Sequence, residues 1–506
     1  MGSTIQKIFD IKALPKILET HRSEGKTIGL CHGVFDLLHI GHIKYLQSAK
    51  KITDILIVTI TPDIHVNKGP SRPAFTERLR AEFLAALEVV DYVAVNSWPT
   101  AIETLGLLQP DLYIKGPDYK DLSKDTTGNI QREKNAVEAV GGKLVFTDDE
   151  TFSSSNLLLQ FSDLYTNEQK KAFHQLRSIL DFEEIQQWFE KLKDLRVLVV
   201  GETIIDEYAY CDALGKSGKE PVLNMRHLYE ESYLGGVLAI ARHLKGLGCK
   251  TEVLSLLGEN REFEDEILKD LDGISCHFFP KANSPTIVKR RYVDQYSRAK
   301  LPGIYKINDE QITEEKEAKI LTFLQDNIKN YDLVLVGDYG HGFLTPSIIE
   351  YITTHANYLA LNTQSNSANL GFHTISKYPK ANFVCIHSGE LRQDYRSRFE
   401  KTETLMLDLA TKLQTQRTLI TMGKDGLLGF DEDKIESCPA FASKIIDRVG
   451  AGDTVLAITS VLSYLKAPLI LTLVSGNLAG AFAVSIQGNK SALDSVQILK
   501  SLKTLL

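Results

Sequence analysis

The chain has 506 residues, too many for a single hydrophobic core, so two or three domains are expected. Apolar residues make up 43% and charged residues 24%, the composition of an ordinary globular protein. The formal net charge of −7, from 65 acidic and 58 basic residues, argues against nucleic acid as a partner but not against small phosphates, which need only local positive charge.

Residues 1–10 lack a basic region followed by an apolar stretch, so no signal peptide is expected. The six cysteines, Cys31, Cys211, Cys249, Cys276, Cys385 and Cys438, form no C-x-x-C pair. They read as reduced, mostly buried thiols of a cytoplasmic protein.

Residues 27–31 form a short apolar strand candidate that leads to Gly33, and residues 40–51 read as a helix. Residues 54–61 (ILIVTI) read as a second strand, and 76–88 as an amphipathic helix capped by Thr76. Further strands are expected at 91–95, 112–115 and 143–146. Alternation of strands and helices implies a parallel α/β sheet, here a first domain of residues 1–162.

Residues 163–194 read as a connector of one or two helices, since a disordered linker would expose Phe173, Leu176, Ile179, Ile185, Trp188, Phe189 and Leu192. A second parallel α/β domain, 195–506, opens at RVLVVG and continues through strand candidates at 251–256, 333–336, 383–386 and 418–421. Residues 208–231 and 286–307 alternate charged and β-forming residues, as strands exposed on one face do, and are placed as a small lid sheet. The charge-free stretch 467–486 is long enough to span a bilayer, but its Pro468, Gly476, Asn477 and Gly480 favour a pair of buried helices. No membrane association is expected.

Two segments carry chemistry. In CHGVFDLLHIGHIKYLQSAK a strand runs through a glycine turn into a helix, whose start offers free N–H groups to an anion. His39 and His42 flank Gly41, which leaves room for a phosphate, and imidazoles can hydrogen-bond and carry charge near neutral pH. An H-x-G-H alone is weak evidence. The run as a whole resembles the cytidylyltransferase-like nucleotidyltransferase superfamily, with Gly33, Phe35, Asp36, His39, Gly41 and His42 all matching its G-x-F-D and H-x-G-H pattern. That resemblance implies a Rossmann-like domain. It implies catalytic roles for His39 and His42, phosphate binding by Gly33, Phe35, Gly41, Lys68, Lys115, Ser153, Ser154 and Ser155, and substrate binding by Asp36. The bland readings are solvated lysines and a helix-capping serine. For Arg78 and Arg80 both readings stay open.

The second segment, Asp447-Arg448-Val449-Gly450-Ala451-Gly452-Asp453-Thr454, precedes a long apolar helix. Its glycines allow the amides to converge into an anion hole for a transferring phosphoryl group, with Asp453 as general base for an alcohol. The bland reading is a turn and a helix cap. The segment resembles the D-x-x-G-A-G-D signature of ribokinase-like (PfkB) carbohydrate kinases. The resemblance implies Asp206, Gly235 and Gly236 at the sugar, and Lys424, Gly426, Gly450, Ala451, Gly452 and Asn477 at the nucleotide. It also implies Glu390 in the Mg²⁺ shell. The sequence departs at His387, which replaces the Asn of N-x-x-E, at Val237-Leu238-Ala239, which lacks the usual Asn, and at His341, which replaces a Lys.

The combination resembles the bifunctional heptose 7-phosphate kinase and heptose 1-phosphate nucleotidyltransferase family, with the domain order reversed. That implies ATP and Mg²⁺ for the kinase, ATP or CTP for the transferase, and sugar phosphates as partners. It also implies a homodimer joined through the kinase lid. Lys216, Lys219, Lys289, Arg290 and Arg291 either supply positive charge for a distal sugar phosphate or are solvated edge-strand charges that discourage aggregation, and both readings stay open. Two alternatives are a CTP-dependent transferase for an alditol phosphate, fused to a different kinase, and a kinase fold that only senses a sugar phosphate.

Overall fold

The computed structural model describes residues 5–66, 68–70, 72–117, 129–148, 165–367 and 369–506. Two compact units divide the chain: Met1–Tyr165 with Lys500–Leu505, and Thr166–Leu499 with Leu506.

The first unit carries a five-stranded sheet of β1 (Ile28–Gly33), β2 (Ile55–Ile60), β3 (Tyr92–Val95), β4 (Leu112–Lys115) and β5 (Lys143–Phe146). All pairs are parallel and the order is β3-β2-β1-β4-β5. Successive side chains of each strand point to opposite faces, so the sheet feeds two cores. Leu30, Ile57 and Tyr113 pack on one side, and Cys31, Leu56, Val58 and Ile114 on the other. Strand order reverses between β1 and β4, and such a switch point opens a crevice at the strands' carboxyl ends. The helix Ile40–Lys51 starts above that crevice.

The second unit opens with two helices, Asn167–Ile179 and Phe182–Lys191, each started by a capping box, Thr166 with Gln169 and Asp181 with Glu184. The expected connector is therefore no free linker. Phe173 meets Phe441 at 5.1 Å between ring centroids, and Gln169 Nε2 donates to the Ala440 carbonyl at 2.5 Å. Burying Phe173 contributes on the order of 2 kcal/mol to this attachment.

Next come β6 (Arg196–Gly201), β7 (Thr203–Lys216), β8 (Leu223–Gly235), β9 (Lys250–Gly258), β10 (Ser275–Lys281), β11 (Ile287–Asp294), β12 (Lys300–Lys306), β13 (Leu333–Asp338) and β14 (Leu359–Thr363). The last strands are β15 (Phe383–His387), β16 (Arg417–Thr421), β17 (Leu427–Asp431) and β18 (Lys434–Cys438). Nine of them form one sheet, β10-β9-β6-β13-β14-β15-β16-β17-β18, parallel except for the antiparallel β16-β17-β18 edge. Its switch point lies between β6 and β13. The other four form the lid, β12-β11-β7-β8. β7 enters the lid directly from the main sheet, two residues after β6 ends.

The stretch expected to form two buried helices is a single helix, Leu469–Val484. Gly476 and Gly480 do not break it. A Cβ on Gly476 would lie 2.7 Å from the Leu427 side chain, so the missing side chains allow close packing instead. Among the described residues no helix is long and apolar enough to cross a membrane.

Candidate active sites

In the first unit, Gly33 ends β1 and Phe35 takes a left-handed backbone (φ 48°), which turns the chain toward the helix Ile40–Lys51. His39 is that helix's N-cap, its Nδ1 accepting from the Gly41 N–H at 3.1 Å. The His39 and His42 rings lie 4.0 Å apart between centroids, and Phe35 lies 5.4 Å from His42. Lys68 is near enough for its charge to act on both imidazoles. The structure thus brings Gly33, Phe35, His39, Gly41, His42 and Lys68 to one helix start.

Burial first, then His39 and Lys68, push the His42 pKa down to about 3, and burial with Lys68 lowers that of His39. Burial likewise brings Lys68 down to about 8. The expectation of charged imidazoles is therefore corrected. Burial and Lys68 favour the neutral form of both imidazoles, and among the described residues His42 Nδ1 is buried with no hydrogen-bond partner.

Asp36 departs from its expected role. It is 1% exposed, accepts from the Ala74 N–H at 2.6 Å and forms an ion pair with Arg72. Its carboxylate holds the loop after residue 71 and is not open to substrate. Lys115 ends β4 as expected but is ion-paired with Glu133 at 3.1 Å, while the Tyr113 hydroxyl donates to the same carboxylate at 2.9 Å. Arg80 is structural: fully buried, it donates to the carbonyls of Val34, Thr61 and Phe75 and pairs with Asp63. Arg78 is exposed and pairs with Glu82 one turn on. Ser153, Ser154 and Ser155, and the expected domain end at Ser162, lie outside the described residues.

The second unit holds a cavity of about 800 Å³ above its switch point. That volume suits a nucleotide and a small partner together. Asp206, Lys289, Arg291 and Tyr339 line it with polar groups, and Phe441, Ile445, Val449 and Val484 with apolar ones. Gly236, Glu390, Lys424, Gly426, Gly450, Ala451, Gly452, Asp453 and Asn477 also line it, so nearly every residue assigned to this site from sequence meets here.

Asp206 sits on β7 and accepts from Arg291 at 2.6 Å. Gly235 makes room for it, since a Cβ there would lie 2.3 Å from its Oδ2. The helix Ala451–Tyr464 starts at Gly450, whose φ of 80° suits glycine. Gly450, Ala451, Gly452 and Asp453 of this helix start line the cavity, and the first amides of a helix have no helical partner to donate to. A relay braces this turn from behind. The Leu493 N–H donates to His243 Nδ1 at 3.0 Å, His243 Nε2 donates to Thr454 Oγ1 at 3.0 Å, and Thr454 donates to the Gly450 carbonyl at 2.8 Å.

Asp453 stands in the first turn of that helix. Burial, the largest cause, raises its pKa to about 7, against the Tyr339 hydroxyl, which donates to Oδ1 at 2.8 Å. Burial raises Glu390 to about 7 as well, although the His387 and Ser365 N–H groups donate to it at 2.9 and 3.1 Å. His387 fills the vacated Asn position as a cap, accepting from the Gly389 N–H at 3.0 Å. His341 lies beneath the site, buried, with Nδ1 2.6 Å from Asp309. Asn477 lines the cavity, but its Nδ2 is engaged by the Cys438 and Leu473 carbonyls at 3.0 and 3.1 Å.

The lid cations divide. Lys289 and Arg291 face the cavity. Arg290, on the opposite face of β11, is held by Glu207 at 2.8 and 2.9 Å, and Lys216 and Lys219 are exposed where β7 gives way to β8. The five candidates for a distal phosphate are therefore reduced to two. No sequence signal attached a role to Tyr339, His243 or Arg72.

The pfkB carbohydrate kinase family matches residues 194–495, and the cytidylyltransferase-like family matches residues 30–160. Curated relatives include the "Bifunctional protein HldE" of Syntrophotalea carbinolica, 38% identical over 157 residues that cover 30% of this chain and 31% of that protein. The protein of the same name from Campylobacter fetus subsp. fetus is 42% identical over 135 residues, 26% of this chain and 29% of the relative. The chain thus spans under a third of the length of these relatives. Among solved structures, Escherichia coli phosphofructokinase-2 with substrates and products covers 62% of this chain and 99% of its own, with 14% identity and a TM-score of 0.52. The same enzyme with fructose-6-phosphate gives 13% identity, the same coverage and a TM-score of 0.51, a likeness of fold. The chain belongs to the pfkB family of carbohydrate kinases, with a cytidylyltransferase-like domain ahead of the kinase domain.

Proposed function

We propose that the second unit phosphorylates the anomeric hydroxyl of a sugar that already carries a phosphate, with heptose 7-phosphate as the substrate. The first unit then makes an ADP-sugar from a sugar 1-phosphate and ATP. The observation that carries this reading is the union, in one cavity, of a buried carboxylate at a helix start with two lid cations, Lys289 and Arg291. Asp453 takes the hydroxyl proton as the sugar oxygen attacks the γ-phosphorus, and ADP leaves. The amides of Gly450–Gly452 stabilise the phosphoryl oxygens. Asp206 accepts from a sugar hydroxyl while Arg291 and Lys289 reach the distal phosphate. A separate phosphatase removes that distal phosphate before the second reaction. In the first unit an oxygen of the sugar 1-phosphate attacks the α-phosphorus of ATP and pyrophosphate leaves. His39, His42 and Lys68 bear on the phosphate oxygens.

Mg²⁺ fits the kinase cavity as an ion carried on the nucleotide. Glu390 faces the cavity, yet among the described residues no cluster of three or more His, Cys, Asp or Glu could hold a metal by itself. Glu390 would hold it through its hydration shell, where it would neutralise phosphate charge. We place the enzyme in the cytoplasm with its substrates. We also infer a homodimer through the lid, where Leu228 and Tyr229 on β8 and Ile304 and Tyr305 on β12 are exposed on its two edge strands.

The test is product analysis by mass spectrometry, with a panel of sugar phosphates and unphosphorylated sugars and all four nucleoside triphosphates. A sugar 1-phosphate that keeps its distal phosphate, and an ADP-sugar, are expected. Best turnover of an unphosphorylated sugar would defeat the substrate assignment, and a CDP-linked product would defeat the choice of ATP in the transferase.

A further inference from the structure

We infer that Tyr339 is a positioning residue for the kinase base: its phenol holds one oxygen of Asp453 so that the other stays free for the proton of the substrate hydroxyl. The inference rests on the proposed role of Asp453.

The geometry is specific. Tyr339 follows β13 at the switch point and is 3% exposed, with its ring in the cavity wall. Its hydroxyl donates to Asp453 Oδ1 at 2.8 Å, and Asp453 Oδ2 has no hydrogen-bond partner among the described residues. The backbone behind the ring is fixed on both sides. The Tyr339 N–H donates to Glu202 at 3.0 Å, and the Tyr339 carbonyl accepts from Asn366 and Asn369 at 3.2 and 3.1 Å. Asp338, one residue earlier, is held by the Tyr378 hydroxyl and by Lys377, each at 2.6 Å. Gly340, one residue later, has a φ of 72°, and a Cβ there would lie 2.4 Å from the Asn369 amide nitrogen. A residue that merely filled the wall would need none of this bracing of its main chain.

A carboxylate on a helix has a rotatable end, and a base works only when its lone pair meets the reacting proton. The phenol removes that freedom. It also favours the ionised form of the base, since a donor to a carboxylate stabilises its charge. Burial keeps Tyr339 itself protonated, with its pKa well above the ordinary range, so it stays a donor across the working pH. The other charged groups facing Asp453 are Asp206 from β7, Lys289 from β11 and Glu390 from the helix Ser388–Asp394. Arg448 lines the same cavity from the loop before the helix. None of these is hydrogen-bonded to the base.

The test compares the full chain with Tyr339→Phe and Asn369→Ala in steady-state kinase assays over about pH 5 to 9, using the sugar that the unaltered chain turns over best. Tyr339→Phe is expected to lower kcat roughly 10- to 100-fold, the loss of one hydrogen bond to a charged group, with the sugar KM held within about twofold. The acidic limb of kcat/KM should move up by about half to one pH unit, because the ionised base has lost a donor. Asn369→Ala should act in the same direction, more weakly. A raised KM with unchanged kcat and an unmoved acidic limb would overturn the inference and leave Tyr339 as cavity wall. If Tyr339→Phe no longer binds ATP, Asn369→Ala decides by the same criteria. Asp453→Asn separates the two readings. If it keeps wild-type rates, the base assignment fails; if it is inactive while Tyr339→Phe is normal, only the present inference fails.

Discussion

Asp453→Asn tests the kinase reading most directly. The amide keeps the shape of the side chain and still offers an oxygen to the Tyr339 hydroxyl, so the anion hole and the lid stay in place. It cannot take a proton. Loss of a general base costs roughly 10²- to 10⁴-fold in kcat, about 3 to 5 kcal/mol of barrier. The pH profile of the unaltered enzyme carries a second signature. With its pKa raised to about 7 by burial, Asp453 is half ionised at neutral pH. Activity therefore rises with pH through about 7 and falls roughly tenfold per unit below it. Glu390, also near 7, steepens that limb if it too must be ionised, and Glu390→Gln should restore a one-proton slope. ADP release measured from pH 6 to 9 reads both effects, at about unit spacing. Pyrophosphate release by the same preparation reports the other active site and should not change. Retention of more than about half the wild-type kinase rate, or an acidic limb centred near the ordinary carboxylate pKa of about 4, would refute the reasoning.

In the transferase, His39→Ala or His42→Ala should lower kcat for pyrophosphate release well before affinity, with ADP release by the kinase unchanged; a raised KM at constant kcat would make them ground-state ligands. Lys289→Met and Arg291→Met should each reduce kcat/KM on a phosphorylated sugar by roughly 10- to 100-fold while sparing an unphosphorylated one, since each removes one charge-assisted contact. Equal losses on both sugars would place these cations on the sugar hydroxyls or the nucleotide instead. Light scattering on a kinase piece starting near Thr166 should return a dimer, and mutation of Tyr229 and Ile304 to Glu should return a monomer; a monomer without mutation would count against the lid interface.

The fold was legible where physics left one option. Strands covered on both faces of a parallel sheet read as continuous apolar runs, and RVLVVG and ILIVTI became β6 and β2 within a residue of their expected bounds. Strands that escaped reading lacked that signal. β10 carries Pro280 on the sheet edge, and β14 is five residues long and ends in polar side chains. β17 and β18 form a hairpin about Glu432, whose φ of 54° is met without a glycine. The lid was legible from its alternation, but its extent was not. β7 begins at Thr203, five residues before the expected start, and its first residues are buried without the alternation that marked the rest of the lid.

The sites were legible as motifs and less so as roles. G-x-F-D and G-A-G-D each marked a helix start above a switch point, and the structure puts them there. Asp36 carried the motif but not the role, because its partner Arg72 lies 36 residues away and no spacing rule joins them. The lid cations were separable in principle: on a strand, residues 289 and 291 share a face and 290 takes the other. Counting charge without strand period merged a cavity pair with an ion pair to Glu207. Tyr339 was beyond reach for a different reason. It meets Asp453 across 114 residues, and the meeting depends on β13 lying beside β6 with the Gly450 turn above both. A motif reports local backbone. The contact between two motifs is set by sheet order, so the residue that orients the base shows itself only once the strands are assembled.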